Sequence, residues 1–322
     1  MSAPTTTPPA PAPGARHSSP RKKRRLGDVL FGGATRVAAG TILVALAGVA
    51  IFLTVEGFPA LSADASHLAG ESTFVAYAWP LLFGTLLAAL IALLIATPLA
   101  IGVALSISHY APRRIAHFVG YVIDLLAAVP SVVYGLWGAN VLGPAMVPVY
   151  RWLSEHLGFI PLFAGPASGG GRTMLTAGMV LAIMALPIIT AICREIFAQT
   201  PRLHEEAALA LGATRWEMIK MAVFPYSRSG IVSAVMLGLG RALGETMAVA
   251  LVLSAFRIVS FDLVSGTAPS TIAANIALSF PEATGVGVNV LIATGLVLFL
   301  ITFAVNFTAR LIVARSEKGL VR

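Results

Sequence analysis

Six stretches of this chain are too long and too apolar to be core helices of an ordinary soluble protein. They cover residues 37–55, 81–107, 118–147, 174–193, 231–256 and 288–309. A helix rises about 1.5 Å per residue, so about 20 residues cross a hydrocarbon layer of about 30 Å. No water reaches backbone N–H and C=O groups there, and a helix satisfies them internally. The expectation is an all-α, polytopic membrane protein with six transmembrane helices. Composition agrees, with 57% of residues hydrophobic and 11% charged, against about 25% charged in a soluble domain. The formal net charge of +8 is no nucleic-acid signature, because the basic residues flank the apolar runs instead of gathering on one face with aromatic partners.

Those basic residues set the orientation. Six crossings put both termini on one side. That side holds seven lysines and arginines before or at the edge of the first run, Arg113 and Arg114 after the second, five in 194–230, and four from Arg310 onward. The opposite loops hold Arg151, Arg172 and Arg257. The bias predicts a cell-membrane (cytoplasmic-membrane) protein with both termini in the cytoplasm. Three regions follow: a basic cytoplasmic tail over 1–33, a six-helix domain over 34–309 with a long cytoplasmic loop at 194–230, and a short cytoplasmic tail over 310–322. The first tail has six prolines before Arg21-Lys22-Lys23-Arg24-Arg25, cannot bury a core, and is expected to be disordered. The run 37–55 exceeds the 7–15 residues of a signal-peptide core, so it reads as a retained first helix. A single cysteine, Cys193, excludes an intrachain disulfide and reads as a small buried hydrophobe.

Two ionisable residues lie inside the fifth run, in Gly238-Leu239-Gly240-Arg241-Ala242-Leu243-Gly244-Glu245-Thr246-Met247. Four apart, Arg241 and Glu245 share a face of a continuous helix, one turn apart. At mid-membrane each charge costs roughly 2.5–3.5 kcal/mol on insertion scales unless it is paired or faces a wet cavity. Either the two form a permanent ion pair that fixes the helix, or they line a path. Gly240 and Gly244 make a small-x-x-x-small step that permits close helix approach under both readings. Asp124 in the third run either reaches the interface or offers Arg241 a second partner.

The loop 194–230 has its own architecture. After Pro201, good helix formers run over 202–211, Gly212 follows as a left-handed stop, and Thr214 with Glu217 forms a capping box that starts a second short helix ending before Pro225. Two short helices joined by an elbow make a knob, suited to docking in another protein's groove or to lying on the membrane surface.

The knob carries a motif. Glu206-Ala207-Ala208, three residues, Gly212, and Pro225 nineteen residues after Glu206 resemble the EAA loop of ABC-importer permeases. Ala222 and Phe224 stand where that family has isoleucine and leucine. Residues 129–138, which contain Tyr134-Gly135-Leu136-Trp137-Gly138, and residues 241–249 resemble the PstC type of permease from phosphate importers. The sister PstA type has a similar fifth-run stretch, so the Tyr-Gly-Leu-Trp-Gly run favours PstC. The likeness spans about residues 26–322.

The resemblance implies the ABC-importer type I permease fold and a transport subunit that forms half of a phosphate path. Its implied partners are a PstA-like permease, a PstB-like dimer of ATP-binding subunits and a PstS-like extracytoplasmic phosphate-binding protein. Glu206, Ala207, Ala208 and Gly212 become ATPase-coupling residues, and Arg241 and Glu245 become substrate-path residues. A guanidinium gives phosphate a planar donor fork, while a nearby carboxylate neutralises it when empty and weakens binding enough for release. The PstA-like half, or a permease for another oxyanion, is the alternative.

The residues themselves agree with a subunit that is not an enzyme. No G-x-x-x-x-G-K-[ST] loop occurs, so ATP must be handled by a partner. His204-Glu205-Glu206 lacks the second histidine of a zinc motif. No nucleophile or second carboxylate accompanies Glu245 or Asp124, and no catalytic residue, metal or cofactor is expected.

Overall fold

In a computed structural model, the described residues are 26–254 and 256–320. Most of the tail expected to be disordered, 1–25, lies outside them. They form helices joined by irregular backbone, and the chain divides after Val49 into two units.

The first unit holds most of α1 (Leu26–Gly57). Leu43, Val44 and other large apolar side chains there are exposed, a surface suited to lipid and not to water.

The second unit is a helical bundle. Thr73 caps α2 (Phe74–Leu105) by accepting from the Ala76 N–H at 3.2 Å. This helix starts seven residues before the apolar run and continues through Pro80 and Pro98. A π-turn, Ser106–Tyr110, leads to α3 (Arg113–Ala128). Pro130 then forces Val129 into extended backbone, because the ring crowds a helical residue before it. The third crossing is therefore not the single run expected over 118–147. It consists of α4 (Ser131–Trp137), a π-turn over Gly138–Leu142, and α5 (Gly143–Leu157).

Helix α6 (Met174–Ala198) is central and packs mainly on α2. Ala88, Ala92, Ala96, Ala100 and Ala104 recur every fourth residue along α2 and are at most 1% exposed. Such a ridge of small side chains lets two helix backbones approach closely. The approach is completed by glycines opposite isoleucines: Gly178 against Ile91, and from the next long helix Gly230 against Ile196 and Gly238 against Ile189. Gly240 and Gly244, the expected small-residue step, have no neighbour within 4 Å of a Cβ position. The contact face runs through Gly238, two residues before Gly240 and so about 200° around the helix from the glycine step. Gly178→Val should overpack this seam by about 1–3 kcal/mol, read as a lower melting temperature of the detergent-solubilised protein, while Gly240→Ala, which meets no neighbour, does not lower it.

After α6 come α7 (Arg202–Ala210) and α8 (Arg215–Met218). The second short helix was expected to stop before Pro225. Instead a π-turn, Ile219–Val223, carries it straight into α9 (Phe224–Gly244). Pro225 sits in the first turn of α9, where its missing N–H costs nothing.

The fifth run also departs from a continuous helix. It breaks at Glu245-Thr246, resumes as α10 (Met247–Val252), and then gives way to non-helical chain before α11 (Ile272–Ser279) and α12 (Val286–Leu320). Backbone taken out of water needs internal partners, and these are supplied. Leu263 donates to the Leu162 carbonyl and accepts from the Leu175 N–H, while Asp262 Oδ1 accepts from the Val264 and Ser265 N–H groups. Helix α11 is buried at Ile272, Ala274 and Asn275, and its Ile272 N–H donates to Thr85 Oγ1 at 2.9 Å.

Candidate functional site

Arg241 occupies the last turn of α9, and Glu245 is the first residue beyond it, with extended backbone at φ −71° and ψ 126°. The Glu245 side chain is buried, and its Oε1 accepts from the Ala248 N–H of α10 at 3.2 Å. A carboxylate at a helix start satisfies free N–H groups and meets the positive end of the helix dipole. The expected stacking of Arg241 and Glu245 on one helical face therefore does not form. Gly240 and Gly244 weaken the final turn, and the break frees N–H groups, of which Glu245 satisfies that of Ala248.

Arg241 is left without an acid. Among the described residues the ion pairs are Arg194–Asp124 at 4.0 Å and His109–Glu205 at 3.5 Å, and the buried Arg241 Nε has no hydrogen-bond partner. Asp124, considered as a second partner for Arg241, belongs to Arg194 instead, beside a cavity that includes His117 and Glu195.

A different cavity meets Arg241. It measures about 610 Å³, lies among α6, α9 and α12, and is lined by Ser233, Gly240, Asn306 and Arg310 as well as apolar residues. Two guanidinium groups, an amide and a hydroxyl border it, with no carboxylate in its lining. Such a donor set favours an oxyanion. Asn306 and Arg310 were missed as site residues. Arg310 was counted only as a topology charge at the start of a tail, yet α12 continues past it to Leu320.

The knob is built as its capping signals require. Gly212 has φ +87°. The Thr214 N–H donates to Glu217 Oε2 at 2.8 Å, and the Glu217 N–H returns to Thr214 Oγ1 at 3.3 Å. Glu206 and Ala207 are exposed on α7, whereas Ala208 is half-buried against the cluster containing Met218, Ile219 and Val223. Leu203 and Leu211 are 77% and 90% exposed, giving the elbow an apolar rim. His109 Nε2, in the π-turn after α2, meets Glu205 Oε1, while its Nδ1 lies 2.7 Å from Ser108 Oγ. The knob is thus tied to α2 as well as to α6 and α9. That tether joins residues far apart in sequence and left no local signal.

A helix-paired knob on a bundle with an interrupted fifth crossing has known counterparts. Residues 96–318 match the binding-protein-dependent transport system inner membrane component family. The chain belongs to this family. It is 44% identical over 308 residues to the phosphate transport system permease protein PstC 2 of Mycobacterium tuberculosis, spanning 92% of this chain and 94% of that protein. It is 41% identical over 318 residues to PstC of Mesorhizobium japonicum, spanning 95% and 96%. In fold it is similar to a chain of the inward-facing methionine ABC transporter MetNI, with a TM-score of 0.51, 16% identity, and coverage of 74% of this chain and 94% of that one. The six apolar helices and the ABC-importer permease fold are therefore features of this multi-pass membrane protein.

Proposed function

We propose that the chain is the PstC-like permease subunit of an ATP-driven inorganic phosphate importer. The observation that carries this reading is the half-buried, acid-free Arg241, whose Nε is buried without a partner, at a cavity shared with Arg310 and Asn306. A charge partly withdrawn from water without a counter-ion is costly, and a transported anion supplies that counter-ion transiently. Glu245 acts in the same path by holding the helix break that presents Arg241, its carboxylate engaged by the Ala248 N–H. The relatives named for phosphate transport support phosphate as the anion.

In this reading both termini and the knob face the cytoplasm, in keeping with the lysine and arginine bias. A related PstA-like permease completes the path, a PstB-like dimer of ATP-binding subunits seats on the knob, and a PstS-like extracytoplasmic protein delivers phosphate. Glu206, Ala207, Ala208 and Gly212 form the coupling surface. A rigid helix pair continuous with α9 transmits displacement of the ATPase to the turn that holds Arg241.

The test is uptake of labelled phosphate into vesicles carrying the four-component complex. Uptake should require ATP, the binding protein and this chain, and excess sulfate should not compete. Preferential transport of sulfate or another oxyanion would move the chain to the alternative substrate, and absence of uptake with every component present would reject import.

A further inference from the structure

A third cavity, of about 410 Å³, lies where the start of α2, the end of α11 and the start of α12 meet. The knob is tethered to the other end of α2 through His109, so this cavity is at the opposite end of the bundle, some 45 Å away for a helix of this length. Arg257 borders it, with Ser66, His67, Ser279 and Thr284. The Arg257 guanidinium rests 5.0 Å from the centroid of the Tyr77 ring. Tyr77 is itself buried, and its hydroxyl accepts from Asn275 Nδ2 at 3.1 Å. The cation is therefore held in place by a fixed aromatic platform. Glu282 also borders the cavity but forms no ion pair with Arg257. Arg257 thus keeps its donor fork available beside three hydroxyl-bearing residues, in a space that holds an oxyanion with several waters at about 30 Å³ each.

We propose that this cavity is an intake station for inorganic phosphate, with Arg257 as its charged donor, where the anion rests before it reaches Arg241. The assignment rests on the import reading above. Glu282 limits affinity, as a multi-site conduit requires if the anion is to move on.

The native cysteine, Cys193, is buried, so an introduced thiol reports on the station in the assembled complex once the partner subunits' cysteines are replaced. In Thr284→Cys, a negatively charged methanethiosulfonate reagent should react faster than its positively charged counterpart, and inorganic phosphate at constant ionic strength should slow the reaction. Adding Arg257→Gln should lower the preference for the anionic reagent on the order of tenfold and remove the phosphate protection. Ser279→Cys serves the same purpose if the first variant does not assemble. A preference indifferent to Arg257→Gln, or a lack of phosphate protection, overturns the proposal. Protection that appears only with the binding protein, and not with phosphate, also overturns it and assigns the surface to docking. The import reading fails separately: phosphate protection without ATP-dependent uptake keeps the station and discards the importer, whereas uptake without protection does the reverse.

Discussion

Arg241→Gln is expected to lower ATP-dependent phosphate uptake about a hundredfold or more, the scale set by removing one partner of a desolvated charge interaction. The substitution removes the charge that faces the cavity with Arg310, but it disturbs no ion pair, because Arg241 has none among the described residues. Assembly with the partner subunits and the basal ATP hydrolysis of the complex should therefore survive, as measured by co-purification and phosphate release. Arg241→Lys keeps a charge without the planar fork and should fall between the two. Glu245→Gln separates the helix break from the charge of the carboxylate. Its amide oxygen still accepts from the Ala248 N–H, so the helix break persists, and the change in uptake reports the negative charge alone. Near-normal uptake by Arg241→Gln would remove the residue from the path and leave its unpartnered Nε without a functional reason.

How far the sequence reaches depends on the range of the forces involved. The six crossings were legible because lipid imposes one rule on every residue of a span. The knob was legible because Gly212, Thr214 and Glu217 act within a few residues of each other. The break at Glu245 was not. Arg241 and Glu245 have the same spacing whether the helix continues or stops, and the decision depends on α10 docking elsewhere. Ala248 of α10 packs on Gly135, where any Cβ would collide with its backbone, and residues 113 positions apart leave no local pattern. The same limit hid the cavity residues Asn306 and Arg310, which reach Arg241 only through packing of α12 on α9. Span edges drifted for a related reason. Thr73 starts its helix by a side-chain cap, so α2 begins before its apolar run, while Pro130 divides α3 from α4 inside an apolar one.

Gly212→Val should uncouple ATP hydrolysis from transport, with phosphate imported per ATP falling at least about tenfold. The reason is conformational. Gly212 has φ +87° and no atom within 4 Å of a Cβ position, so a side chain meets open space. The backbone is what objects, by about 1–2 kcal/mol for an ordinary residue and more for a β-branched one. The elbow relieves that strain by shifting α7 against α8, while Ala208 packing and the His109–Glu205 contact still hold α7 to the bundle. A folded but misplaced knob is the expected product, able to contact the ATP-binding subunits without passing their movement to α9. Gly212→Asn supplies the control, because asparagine tolerates the left-handed region far better than valine does and should retain most of the coupling. If valine and asparagine behave alike, bulk and not backbone conformation is at work. If both leave the ratio of phosphate to ATP unchanged, the elbow takes no part in transmission, and the tether at the end of α2 becomes the place to look for it.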